Sequence, residues 1–250
     1  MTEPMTEPHE LVSEAEKLFA TACERAGSRL TALARDRGLD YVNERDHLQP
    51  IYRKALEETV RDVRPRPSVS LTLDHGLEPL WPALGRFDIA LSFGRTATIF
   101  GELKSGREVG ALSACAWDAA KCVFCLGHGV GAGMLLVAAA PAALWRTRCL
   151  GLELFDDGNW DTADVRRRYA RGFTRWEKDG YKPVRLPAAF TTSAVSRAEF
   201  PIAGNSWMIG VARVEPLEEE WLDWQPFLPM GYRLLPRAGR AQSAHGASDA

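Results

Sequence analysis

Apolar residues recur at helical spacing from residue 9 to residue 37. Leu11, Ala15, Leu18, Phe19, Ala22, Ala26, Leu30, Leu33 and Ala34 fall on one stripe, which predicts an amphipathic helix. Gly38 is a suitable stop. A second helix is expected over Asp46–Val63, ending before Arg64-Pro65-Arg66-Pro67, because the residue before a proline is pushed out of helical backbone. The period then falls to two. Val69, Leu71 and Leu73 alternate with Ser70 and Thr72, and two more β-prone runs follow around Asp88 and Glu102, joined at Gly94-Arg95. Gly106–Gly110 reads as a turn and Ala111–Leu126 as a helix apolar over most of its surface. Met134–Ala138 reads as a strand buried on both faces. The glycine-rich linker between them follows a helix and precedes a strand, the reverse of a dinucleotide-binding loop.

Beyond Pro141 the pattern weakens. Thr162–Lys178 is read as a helix crowded with Arg166, Arg167, Arg168, Arg171 and Arg175, and Ser206–Val214 as a strand. The arginines are the best phosphate-contacting patch on offer, although a solvated helix face is the simpler explanation of them. The order α–α–β–β–β–α–β, with an αβ extension, predicts an α/β fold: a three-stranded meander, then a helical crossover that returns the fourth strand to a mixed central sheet. Residues 1–8 repeat Met-Thr-Glu-Pro and residues 236–250 are rich in Ala, Gly, Ser and Arg. Both are expected to be disordered. That leaves 9–235 as a single domain, with a core at about 46–140 and an extension at 141–235.

Composition narrows the partners. A formal charge of −2 argues against a protein that grips nucleic acid over its whole surface, so any such contact must be local. The longest apolar run, Val130–Trp145, is interrupted by Gly131, Gly133 and Pro141 and is too short to span a bilayer comfortably. Five cysteines and no secretion-like N-terminus predict free thiols and a cytoplasmic protein. Cys115, Cys122 and Cys125 lie on the apolar helix, where Cys packs as a small hydrophobe. The five histidines show no ligand spacing, and Trp207, Trp221 and Trp224 are expected in the core or at an interface.

The chemistry concentrates on the strands. Lysine is the rarer cation, six against 25 arginines, and two of the six lie in this region. Glu102 and Lys104 are two apart on one strand and share a face. A hairpin partner can bring Asp88 beside them. Two acids and an amine on apolar strands are costly to bury without a metal or a partner, and the set suits a divalent ion and an attacking water.

Asp88 within Arg86-Phe87-Asp88-Ile89, the Glu102-Leu103-Lys104 tripeptide and the element order together resemble the PD-(D/E)XK nuclease superfamily, the restriction-endonuclease-like fold. The resemblance covers roughly residues 46–140. It implies an αβββαβ core and Mg²⁺-dependent hydrolysis of nucleic acid, DNA ahead of RNA, with Mn²⁺ as a substitute ion. It implies that Asp88, Glu102 and the Leu103 carbonyl hold the metal while Lys104 orients the water. It further implies an acid from the preceding helix, Glu57 or Glu58, and a place at the edge of the site for Asp118 and Lys121. The alternative is a catalytically silent module of the same fold. It would bind nucleic acid or protein in a defence or repair system, as a homodimer or in a larger complex.

Overall fold

The computed structural model describes residues 8–63, 69–76, 86–94, 97–147, 151–168, 184–224 and 235–236. The leader, the Arg64–Pro67 break, Cys149, His245 and the tail from 237 lie outside them, as do Arg171, Arg175 and the side chains of Arg166–Arg168 and Trp224.

Helix α1, Pro8–Arg37, buries the predicted stripe apart from the half-buried Leu33, with Ala15, Phe19, Ala22 and Ala26 fully inside. It stops at Gly38, which takes φ +66°, while the Leu39 N–H closes back on the Ala34 carbonyl at 3.0 Å. Glycine reaches that left-handed backbone without steric cost. The second helix begins differently from expectation. Asn43 Oδ1 accepts the Asp46 N–H at 3.0 Å, and Glu44–Leu48 form one π-helical turn before α2, Gln49–Asp62. The wider turn shifts the phase of everything ahead of α2.

Strands β1 (Val69–Gly76), β2 (Arg86–Phe93) and β3 (Ala97–Ser105) form the expected antiparallel meander. The crossover is two helices, α3 (Val109–Leu112) and α4 (Ala114–Gly127), so the predicted turn is shorter and the predicted helix is broken at Ser113. Val109–Gly127 is long and apolar enough to cross a bilayer, but most of it is buried against the sheet. Strand β4 (Gly133–Pro141) runs parallel to β3.

The extension departs most from the sequence reading. It contains α5 (Ala142–Arg146), a 3-10 turn at Leu152–Phe155, β5 (Gly158–Asp161) and α6 (Thr162–Arg168). A long hairpin, β6 (Val184–Ile202) and β7 (Asn205–Trp224), follows, and β8 (Leu235–Pro236) pairs with β7. The sheet order is β1-β2-β3-β4-β7-β6-β5. Among the described strands only the β3–β4 pair is parallel, so the fold is α/β with a mixed sheet flanked by helices.

Alternation along β3 and β4 feeds two cores. Phe100, Met134, Leu136 and Ala138 pack under Ala116, Ala119 and Val123 of α4. Ile99, Leu103, Leu135 and Val137 pack under Phe19 of α1 and Tyr52 and Leu56 of α2. All of β4 up to Ala140 is buried, which is why it reads as one unbroken apolar run. At Gly101 a Cβ would sit 2.8 Å from the Phe19 ring. Because that ring is fully buried, Gly101→Ala is expected to destabilise the protein by about 1–3 kcal/mol through overpacking, read as a lowered denaturation midpoint.

Candidate functional site

The β2–β3 ladder runs from Phe93 opposite Ala97 to Ile89 opposite Gly101 and stops. Asp88 and Glu102 stand one residue beyond. There a side chain replaces the lost ladder partner: the Leu103 N–H donates to Asp88 Oδ2 at 2.8 Å. Asp88 is thus fastened to the backbone between Glu102 and Lys104. Its other oxygen, Oδ1, accepts from Gln49 Nε2 at 3.1 Å and lies 3.6 Å from Arg53 Nη2, both on α2.

Glu102 and Lys104 share the face of β3 that meets α4. Lys121 of α4 pairs with Glu102. Its ammonium also donates to the Arg86 carbonyl at 3.1 Å and lies 4.5 Å from the Phe87 ring centroid. One helical turn earlier, Asp118 Oδ2 is 3.3 Å from Lys104 Nζ. On its other side Lys104 Nζ is 3.5 Å from Glu44 Oε1. The sequence pairing of Asp118 with Lys121 on one face of α4 is therefore realised, with each side chain meeting a different β3 residue.

The electrostatics follow from burying more acid than base. Burial pushes the Glu102 carboxyl well above its ordinary range, against the pull of Lys121. Burial also raises Asp88, outweighing the Leu103 N–H and Lys104, and raises Glu44 despite Lys104. Asp118 pushes the Lys104 ammonium up, helped by Glu44 and Glu102 and opposed by burial. For Lys121, burial works against the charge, but Glu102 and Asp118 together outweigh it and the net direction is upward. Both lysines are held as cations.

Not every expected residue arrives. Glu58 is turned away and pairs with Arg29 of α1, and Glu57 is exposed. The acid on the α2 side of the site is Glu44, on the π-helical turn. Sequence reasoning missed it, together with Gln49 and Arg53. The available signal was Asn43, a good helix cap directly before Glu44. Glu58→Ala is therefore expected to leave any metal-dependent cleavage at wild-type rate, measured in the same assay as the active-site variants. Lys121 is likewise not a free cation at the rim: only 5% of its side chain is exposed, and it is committed to Glu102. The Leu103 side chain is buried in the α1/α2 core.

Two buried carboxylate oxygens, Glu102 Oε1 and Asp118 Oδ2, are met by the ammonium groups of Lys121 and Lys104 and, among the described residues, take no hydrogen bond from any other group. Among the described residues, no three His, Cys, Asp or Glu side chains are gathered around a common point. Mg²⁺ does not require three, since one or two carboxylates suffice when substrate oxygens and waters complete its shell. Hard carboxylate oxygens such as those of Asp88 and Glu102 fit such an ion.

Cys23, Cys115, Cys122 and Cys125 are buried thiols. His47 packs in the π-helical turn, its Nδ1 accepting the Asn43 N–H at 3.0 Å, and Trp207 is a core residue. Compared with family models, curated proteins and solved structures, the chain matches none of them.

Proposed function

We propose that the chain is a metal-dependent phosphodiesterase acting on nucleic acid in the cytoplasm, DNA ahead of RNA, on a restriction-endonuclease-like core. The observation that carries this reading is the hydrogen bond from the Leu103 N–H to Asp88 Oδ2. It fastens the Asp88 carboxylate of one strand to the backbone between Glu102 and Lys104 of the next. In this reading Asp88 and Glu102 hold Mg²⁺, with the Leu103 carbonyl as a third donor, and the ion supplies positive charge against the phosphate and an acidified water.

The remaining work falls to the chain itself. Lys104 serves as a cation that orients water and offsets negative charge on phosphate. Its raised affinity for the proton makes it a donor rather than a general base. Asp118 and Glu44 fix its position from either side. Lys121 keeps Glu102 in place and neutralises it until a stronger cation competes. The low-dielectric setting strengthens each of these interactions.

The test is cleavage of linear, branched and single-stranded DNA with Mg²⁺, with Mn²⁺ and with EDTA. Cleavage that needs the metal supports the reading, and no cleavage under any of these conditions removes it.

One observation favours a second reading, the catalytically silent module. Glu102 and Asp118 already face internal lysines, so the cluster is partly neutralised without a metal. Titration with Mn²⁺ separates the two readings. A binding site lost in Asp88→Asn belongs to the hydrolase, and its absence from the wild type belongs to the module.

A further inference from the structure

A cavity of about 330 Å³ opens at the C-terminal ends of the parallel pair, with Arg107 and Arg146 on its walls, Trp207 beneath and Asp40 at its rim. The Gly106 N–H donates to the Ala139 carbonyl at 3.2 Å, and Pro141 pairs with Trp207. The cavity therefore lies past the last rungs of β3 and β4. Ligands of open α/β sheets collect at such strand ends.

The two chain segments that bear the candidate site continue into this cavity. Arg107 is three residues beyond Lys104, within about 11 Å even for a fully extended chain. Asp40 is four residues before Glu44. Ser105 Oγ donates to the Val42 carbonyl at 2.7 Å and ties one segment to the other. The Arg107 guanidinium lies over the Tyr41 ring, 4.9 Å from its centroid, and Tyr41 meets the His47 ring edge-on at 6.3 Å. Arg107 is thus oriented by an aromatic stack rooted in the same π-helical turn that carries Glu44, and a stacked, planar guanidinium is well prepared for phosphate.

The present partners of the arginines are weak. Arg107 is 4.0 Å from Asp40 and Arg146 is 3.9 Å from Glu199, and all four side chains are more than half exposed. Exposed pairs at that reach contribute little, so an arriving anion can replace them. A chain of net charge −2 cannot hold a strand by overall attraction and needs a local pair of cations beside its chemistry.

We propose that Arg107 and Arg146 grip an internal, non-scissile phosphate of a nucleic-acid strand whose neighbouring phosphodiester lies at Glu102 and Lys104. This rests on the nuclease reading of that site. The test is fluorescence anisotropy with a labelled oligonucleotide, single-stranded and duplex, in Ca²⁺ to hold off cleavage, over a series of salt concentrations. Arg107→Ala/Arg146→Ala is expected to weaken binding at least tenfold. It should also flatten the slope of log K against log[salt] by about 0.7 for the single strand and about 0.9 for the duplex, as loss of one phosphate contact requires. Melting temperature and Mn²⁺ binding should stay at wild-type values. Arg107→Lys/Arg146→Lys should keep the slope. A single methylphosphonate linkage should weaken wild-type binding at one internal position and leave the double alanine variant indifferent there. Sensitivity only to a terminal phosphate, or an unchanged slope in a protein that cleaves, overturns the inference and spares the nuclease reading. The predicted slope change in a protein that cleaves nothing in Mg²⁺ keeps the arginine–phosphate contact but removes the nuclease reading and, with it, the neighbouring scissile phosphodiester. A wild type that binds no nucleic acid overturns both.

Discussion

Asp88→Asn is expected to lower Mg²⁺-dependent cleavage by about three orders of magnitude while leaving the metal-free protein at least as stable as wild type at neutral pH. The two effects have one cause. Asp88 is buried, and burial lifts its carboxyl above the ordinary range despite the Leu103 N–H and Lys104. A group whose folded proton affinity exceeds its unfolded one loses stability as pH rises, because the native state binds more protons than the unfolded chain in that interval. The loss begins near the unfolded aspartate value of about 3.9 and continues up to the raised native one. Asparagine carries no such charge, and its Oδ1 can still accept the Leu103 N–H. Melts in EDTA from pH 4 to pH 8 should therefore show wild type falling relative to the variant as pH rises. Added Mn²⁺ should reverse the order, stabilising wild type by ligand linkage and leaving the variant unmoved. Better stability coupled to lost activity is the signature of a strained functional group. A variant that cleaves as wild type does would sink the assignment of Asp88.

The half of this site that alternation governs was legible in the sequence. A strand has period two, so Glu102 and Lys104 had to share a face, and they do, both meeting α4. Helical spacing likewise put Asp118 and Lys121 on one side of α4, where they meet that same strand face. The acid on the α2 side was not legible. The resemblance implies an acid on the helix and makes Glu57 or Glu58 the candidates, but the π-helical turn at Glu44–Leu48 brings Glu44 in from ahead of the helix. A turn widened by one residue leaves no trace in apolar periodicity.

Strand β6 escaped for a related reason. Its register slips between Pro187 and Ala189 and again between Ala194 and Ser196. Each irregularity interrupts the inside–outside alternation that would betray a strand. Pro187 and Pro201 further disguise it, since proline ordinarily argues against a paired strand. The hairpin turn to β7 gives no help, because Ala203 and Gly204 both take positive φ where a sequence reader looks for Asn-Gly.

Lys121→Met is the substitution expected to cost most in stability, about 3–5 kcal/mol at neutral pH, the usual result of stranding one member of a buried ion pair. For a chain of 250 residues that corresponds to roughly 6–20 °C in melting temperature. Glu102 is 4% exposed, and its carboxyl is already pushed well up by burial, with Lys121 the main opposing influence. Methionine fills similar volume and removes that opposition. The native carboxyl then keeps its proton to still higher pH, while the unfolded one ionises near 4.3. The deficit should accordingly be small near pH 4 and deepen as pH rises towards the native value, because the unfolded state sheds its proton first. Glu102→Gln placed in the same chain should recover most of the loss, since no buried charge is then left unpaired, and the coupling energy of the double-mutant cycle isolates the pair itself. Mn²⁺ should also restore part of the lost stability in Lys121→Met, and none of it once Glu102→Gln is added, because the carboxylate it would neutralise is gone. A single variant that melts with wild type across this pH range would mean that Lys121 does not hold the charge of Glu102, and the cluster's need for a cation would no longer follow from its burial.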